Sequence, residues 1–335
     1  MASVTIGDPT GIGAFRVLFA IFGTIFNGAA IVTVLSNRNL RSKGMYITIV
    51  VISFAGLLQS IFVNSVSAHA YLSTTTNYDL CSTLFGAAIT SSICLMVIMY
   101  CLVLLFVNHL IHRRSANETR ERNTGIVGTI LIWVLSVIVL VPVIETQSAS
   151  KCFILTDYDL RVGLYVLEFF LPTFILCIAG IILIISHASS RQPRVMVQDG
   201  LSYQRSSIFP THIVVAGFLA VVTNMPSSIL SVVQFTCFGT VCNWYLWLAL
   251  IFGMIAQGYC VVLPCSWLLD NDFRQAFLRK QTPNRNMAPM AAAYNNYTPQ
   301  SNQVMYNNQQ IPFSHSVPYA APNTGYSEKP QQPHP

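Results

Sequence analysis

Residues 125–144 read GIVGTILIWVLSVIVLVPVI, twenty positions without a charged side chain. A helix of that length rises about 30 Å, the thickness of a bilayer's hydrocarbon core. Outward from this stretch, six more are long and apolar enough to do the same, two of them with a charged residue inside: Gly13 to Leu35, Met45 to Ala68, Cys81 to Asn108, Arg161 to Ser186, His212 to Phe235 and Trp244 to Leu269. Composition agrees with that reading, because 53% of the 335 residues are hydrophobic and 9% charged, whereas a soluble domain carries about 25% charged residues. The expected fold is an all-α membrane protein, a seven-transmembrane helix bundle over 13–269 preceded by a short extracellular segment, 1–12.

Two further segments complete the chain. DNDFRQAFLRK, residues 270–280, puts Phe273 and Phe277 one turn apart with Arg274 and Lys280 beside them, which predicts a short amphipathic eighth helix on the membrane face. From 281 to 335 the chain is rich in Asn, Gln, Pro and Tyr and nearly free of Ile, Leu and Val, so a disordered cytoplasmic tail is expected there.

Orientation comes from the cations. Thirteen Lys and Arg residues lie after spans one, three, five and seven: Arg38, Arg41, Lys43, Arg113, Arg114, Arg120, Arg122, Arg191, Arg194, Arg205, Arg274, Arg279 and Lys280. The other side has Arg16, Lys151 and Arg161 among Asp8, Asp79, Glu145, Asp157 and Asp159. The positive-inside rule then predicts an amino terminus outside and a cytoplasmic carboxyl terminus, and the plasma membrane is the expected location. The opening MASVTIGDPTGIGAFRVLF lacks a basic n-region and a cleavage site, so no removable signal peptide is expected.

The net charge of +6 does not gather into a basic face with exposed aromatics, so nucleic acid is not an expected partner. The sequence carries no phosphate loop, nucleophile motif or His/Cys cluster at metal spacing; no enzyme, metal or cofactor is expected. Most of the nine cysteines lie in apolar runs. Cys81 and Cys152 both fall on the outer side, where a disulfide is chemically favoured over two free thiols. Cys237 and Cys242 flank the last outer loop and offer a second, smaller bridge. Pro142, Pro172, Pro226 and Pro264 lie inside spans, where each removes a backbone donor and kinks its helix.

Taken in register over Gly13 to Lys280, these features resemble the rhodopsin-like G-protein-coupled receptors. The resemblance is carried by Asn27 in helix one, by Cys81 with Cys152, and by Trp133 with Pro142 in helix four. Pro172 in helix five, Pro226 in helix six, Pro264 in helix seven and the helix around Phe273 complete it. The departures are as specific. Leu105, Phe106 and Val107 replace the acidic-Arg-aromatic triplet, Gly56 stands at the helix-two Asp, Asn224 at the helix-six aromatic switch, Leu263 and Trp267 around the helix-seven proline. Gln257 replaces the retinal lysine and Ala88 the amine-binding aspartate, so neither retinal nor a conventional monoamine is expected. Such losses are similar to those of nematode-type serpentine chemoreceptors.

An ionisable group inside a span costs about 2.5–3.5 kcal/mol at the helix centre and so marks function by default. Glu168, one turn before Pro172, is the clearest case, and the resemblance implies that it faces a ligand cavity with Ser92, Asn224 and Gln257. Those three have an alternative role as interhelical hydrogen bonds that hold the bundle. Arg16, near an outer helix end, is expected to snorkel to headgroups, and Gln59 has no expected role.

The resulting expectation is a chemosensory receptor for a small external ligand, with membrane lipids and a heterotrimeric G protein as partners. A seven-span transporter and a membrane scaffold acting through its tail are the alternatives; the first three spans show no echo in the last three, as a transporter built from parallel repeats would.

Overall fold

The structure, a computed structural model, describes residues 9–73, 78–112, 118–146, 158–190, 209–233 and 243–281. The chain divides into two units, Met1–Pro283 and Asn284–Pro335, and every described residue belongs to the first. The described residues form helices and no strand. Seven helices are long and apolar enough to cross a membrane: α1 (Thr10–Ser36), α2 (Gly44–Leu72), α3 (Ser82–Ile111), α4 (Thr119–Pro142), α5 (Val162–Ala188), α6 (Thr211–Val232) and α7 (Leu248–Leu269). An eighth, α8 (Asn271–Gln281), begins after a turn at Asp270. The expected all-α, seven-span architecture with an amphipathic eighth helix is therefore present, with span limits that differ from the expected ones by a few residues at most ends.

Side-chain exposure separates two environments. Phe22 and Ile25 on α1, Ile130 and Ile138 on α4, Phe174 and Ile185 on α5, and Phe218 and Val222 on α6 all face outward. A soluble monomer tolerates apolar patches of a few hundred Å²; a belt shared by four helices needs lipid. Inside, α2 and α3 bury 56% and 50% of their most apolar window against 22% for α4, which makes α2 and α3 the inner helices. Val97, Cys101 and Leu102 of α3 are fully buried at the centre, and α3 touches α2, α4, α5 and α6. The bundle closes where α7 meets α1.

Cys152, Cys237 and Cys242 lie outside the described residues, as does the side chain of Cys81, so both expected disulfides fall outside them. The same holds for the tail beyond Gln281 and for the outer segment before Pro9.

Candidate ligand-binding site

Prolines shape the helices that carry the site. Pro172 has no N–H for the carbonyl of Glu168, four residues earlier, and the turn before it widens: Val166–Phe170 is π-helical and the Leu171 amide bonds to Val166 O. Both Glu168 and Phe169 are buried there. Tyr100 Oη of α3 donates to Leu167 O at 2.9 Å, which pins the widened turn to its neighbour. Pro264 likewise frees the carbonyl of Cys260, and Asn27 Nδ2 fills the gap at 2.7 Å while also donating to Gly23 O at 2.8 Å. Asn27 thereby ties α1 to α7 at a point that proline left open.

That bond also explains a departure from the receptor pattern. A Cβ on Gly56 would lie 2.6 Å from Asn27 Oδ1, so no carboxylate fits where that family places one. Trp133 of α4 packs on Phe54 of α2 with ring centres 6.2 Å apart, a structural contact away from the site. Pro226 sits two residues beyond Asn224 inside α6.

A cavity of about 500 Å³ opens among α1, α2, α3, α5, α6 and α7 at the end nearest the start of α1, opposite the ends that carry Lys43, Arg120 and Arg274. Ser92, Glu168, Asn224 and Gln257, from four different helices, all line it, as does Ala88. Glu168 is 5% exposed and has Ser92 as its side-chain hydrogen-bond partner. Asn224 Nδ2 donates to Ala220 O at 2.9 Å and Thr223 Oγ1 at 3.2 Å within its own helix, which leaves its carbonyl oxygen without a donor among the described residues. Gln257 Oε1 accepts from Gln59 Nε2, which also donates to Ser91 Oγ at 3.1 Å. Gln257 is thus both a wall residue and an α2–α7 tie.

Arg16 corrects the sequence reading. It does not snorkel away: it lines the same cavity, Nη1 donates to Asn64 Oδ1 at 3.1 Å, and Nε is buried without a partner among the described residues. The cause lies in α2, where Gln59–Asn64 forms a second π-helical stretch that buries Gln59, Ser60, Val63 and Asn64 together. No proline announces it. Tyr259 is a lining residue that sequence reasoning passed over, with a buried hydroxyl that has no hydrogen-bond partner among the described residues; Gln59 and Asn64 stand behind the lining and hold Gln257 and Arg16.

The opposite end is closed. Phe106, in place of the expected triplet, is 3% exposed and sits where a Cβ on Gly217 of α6 would come within 3.0 Å of its ring and one on Gly180 of α5 within 4.0 Å. Asp270 Oδ1 caps α8 by accepting from the amides of Asp272 at 2.7 Å and Phe273 at 3.0 Å, and accepts from Tyr46 Oη of α2 at 3.0 Å. His212 Nε2 of α6 lies 3.5 Å from Asp270 Oδ2. One carboxylate therefore joins α2, α6 and α8. Lys43 adds an exposed ion pair with Asp272 at 2.7 Å.

No protein-family model matches the chain, and no curated protein matches it.

Proposed function

We propose that this chain is a chemosensory receptor of the plasma membrane, built on a rhodopsin-like scaffold, with its amino terminus outside and its carboxyl terminus in the cytoplasm. It takes a small external ligand into the cavity between α3, α5, α6 and α7 and passes a change of shape to a heterotrimeric G protein. The observation that carries the reading is the convergence of Ser92, Glu168, Asn224 and Gln257 on one cavity. Each comes from a different helix, so a molecule touching all four biases the relative positions of those helices.

The two-state element this requires is available at the far end. Outward movement of α6 would take His212 from Asp270 and Gly217 from the ring of Phe106, and open the inner face. Phe106 and Asp270 do the holding that an ionic latch on α3 does in the resembling family. Pro226, within two turns of the cavity end of α6, supplies the pivot. Lipid headgroups meet the exposed face of α8, whose Phe273 is buried and whose Leu278 is exposed.

The test is a screen of small polar molecules on cells expressing the full chain, read by G-protein activation and repeated with Glu168→Gln. A receptor responds, and the variant loses at least tenfold in potency. Equal potency in the variant removes Glu168 from the site. Uptake of a hit by protein-bearing vesicles without G-protein activation replaces the receptor with a transporter.

A further inference from the structure

We propose that the ligand is a zwitterion, with its carboxylate held by Arg16 and its ammonium by Glu168. The inference rests on the receptor reading of the cavity and narrows the chemistry of what enters it.

The cavity has two charged side chains among the described residues that line it, and they are of opposite sign. Arg16 comes from α1 and Glu168 from α5, helices that do not pack on each other. No ion pair joins the two among the described residues, nor does either meet another charged partner there. A buried charge without a counterion is costly, and side chains that could neutralise each other normally do. Here both line one open cavity without pairing.

Each charge has neutral support on one side only. Asn64, itself fully buried, accepts from Arg16 Nη1, and the remaining guanidinium donors include the partnerless Nε. A guanidinium with N–H donors beyond its one bond to Asn64 suits the oxygens of a carboxylate. Glu168 has the Ser92 hydroxyl as a neighbour, and Asn224, whose carbonyl oxygen has no donor among the described residues, lines the same cavity. A carboxylate with a carbonyl oxygen nearby supplies acceptors for an ammonium, which carries donors alone. Tyr259, another residue of the lining, has a buried hydroxyl without a partner among the described residues.

The sign arithmetic separates ligand classes. A monoamine would satisfy Glu168 and bring Arg16 an added positive charge; a simple carboxylate would do the reverse. A molecule with both charges enters with no net charge and compensates both walls. A volume of about 500 Å³ falls in the range of small-molecule sites and accommodates an amino-acid-sized body.

The test uses the full chain in lipid nanodiscs and reads the rise in Tm on adding probes. The probes are ω-amino acids from glycine to ε-aminocaproate, leucine and phenylalanine, and for each the matching alkylamine, alkanoate and uncharged alcohol. At least one zwitterion is expected to stabilise the protein at a concentration about tenfold or more below its amine and its carboxylate, the loss of one charged contact. Arg16→Gln should erase the preference over the amine, Glu168→Gln the preference over the carboxylate, and Arg16→Lys should keep the first, which separates lost recognition from lost folding. An amine that binds as well as its zwitterion, or a preference that survives Arg16→Gln, overturns the proposal. If uncharged alcohols bind and a cavity-filling Ser92→Trp abolishes it, the ligand cavity stands and the zwitterion falls; if no probe binds, both fall.

Discussion

At one end of the bundle, hydroxyls, amides and two ionisable side chains with no ion-pair partner among the described residues surround a space of about 500 Å³; at the other, Phe106 fills the space between α3, α5 and α6, and Asp270 accepts three hydrogen bonds on Oδ1 with His212 3.5 Å from Oδ2. The first end leaves open space beside its polar groups, whereas the second is packed, although Asn108 Oδ1, His212 Nε2 and Trp267 Nε1 are buried there without a hydrogen-bond partner among the described residues. Unmet capacity in a low-dielectric interior costs stability and becomes useful when a ligand arrives. Occupied capacity adds stability and must be broken for the helices to part. The two ends therefore should respond in opposite ways to substitution: cavity variants should change binding and leave stability alone, whereas variants of the closed end should lower stability and raise ligand-independent output.

The largest effect is expected from Phe106→Ala. Removing a buried aromatic wedge costs about 3–5 kcal/mol, read as a fall in thermal stability of the purified protein with raised basal signalling. A loss below about 1 kcal/mol would mean that the wedge does not hold α5 and α6. Gly56→Ala comes next, because its Cβ meets Asn27 Oδ1 at 2.6 Å; overpacking of this kind costs about 1–3 kcal/mol. Asn27→Ala in the same background should recover part of that loss, and an absence of coupling between the two would contradict the contact.

Tyr46→Phe should cost about 1.5 kcal/mol, the value of a hydrogen bond to a charged acceptor. Hydrogen exchange would place the loosening at Asp272 and Phe273, whose amides share Asp270 Oδ1 with the tyrosine. Glu168→Gln tests the contrast from the cavity side: stability is expected to stay level or rise, since a buried ionisable carboxyl without a counterion among the described residues gives way to a neutral amide, while binding weakens at least tenfold. A fall of more than about 1 kcal/mol would recast Glu168 as structural. Lys43→Ala is the smallest case, below about 1 kcal/mol and screened by salt, because its pair with Asp272 is exposed on both sides.

Sequence reading reached these two ends unequally. The spans were legible because lipid demands charge-free runs of fixed length, and residues 125–144 satisfy that almost without ambiguity. Glu168 was legible because a carboxylate is conspicuous in an apolar run. Arg16 was misread, since an arginine near a helix end ordinarily reaches for headgroups; its inward turn comes from Asn64, brought inside by a π-helical turn that no proline signals. One extra residue per turn rotates the rest of the helix by about 100°, and helical periodicity applied to α2 cannot see it. The Asp270 cluster was out of reach for another reason: Tyr46, His212 and Asp270 are far apart in the chain, and only the packed helices bring them together.

The account depends on the cavity end and the closed end facing opposite sides of a membrane. Ser92→Cys and Asn271→Cys, labelled by a membrane-impermeant thiol reagent against the unmodified chain, test this directly. The predicted result is added labelling of Ser92→Cys on intact cells and of Asn271→Cys only after permeabilisation. Equal labelling of both on intact cells, or the reverse order, would contradict the topology and the receptor reading built on it.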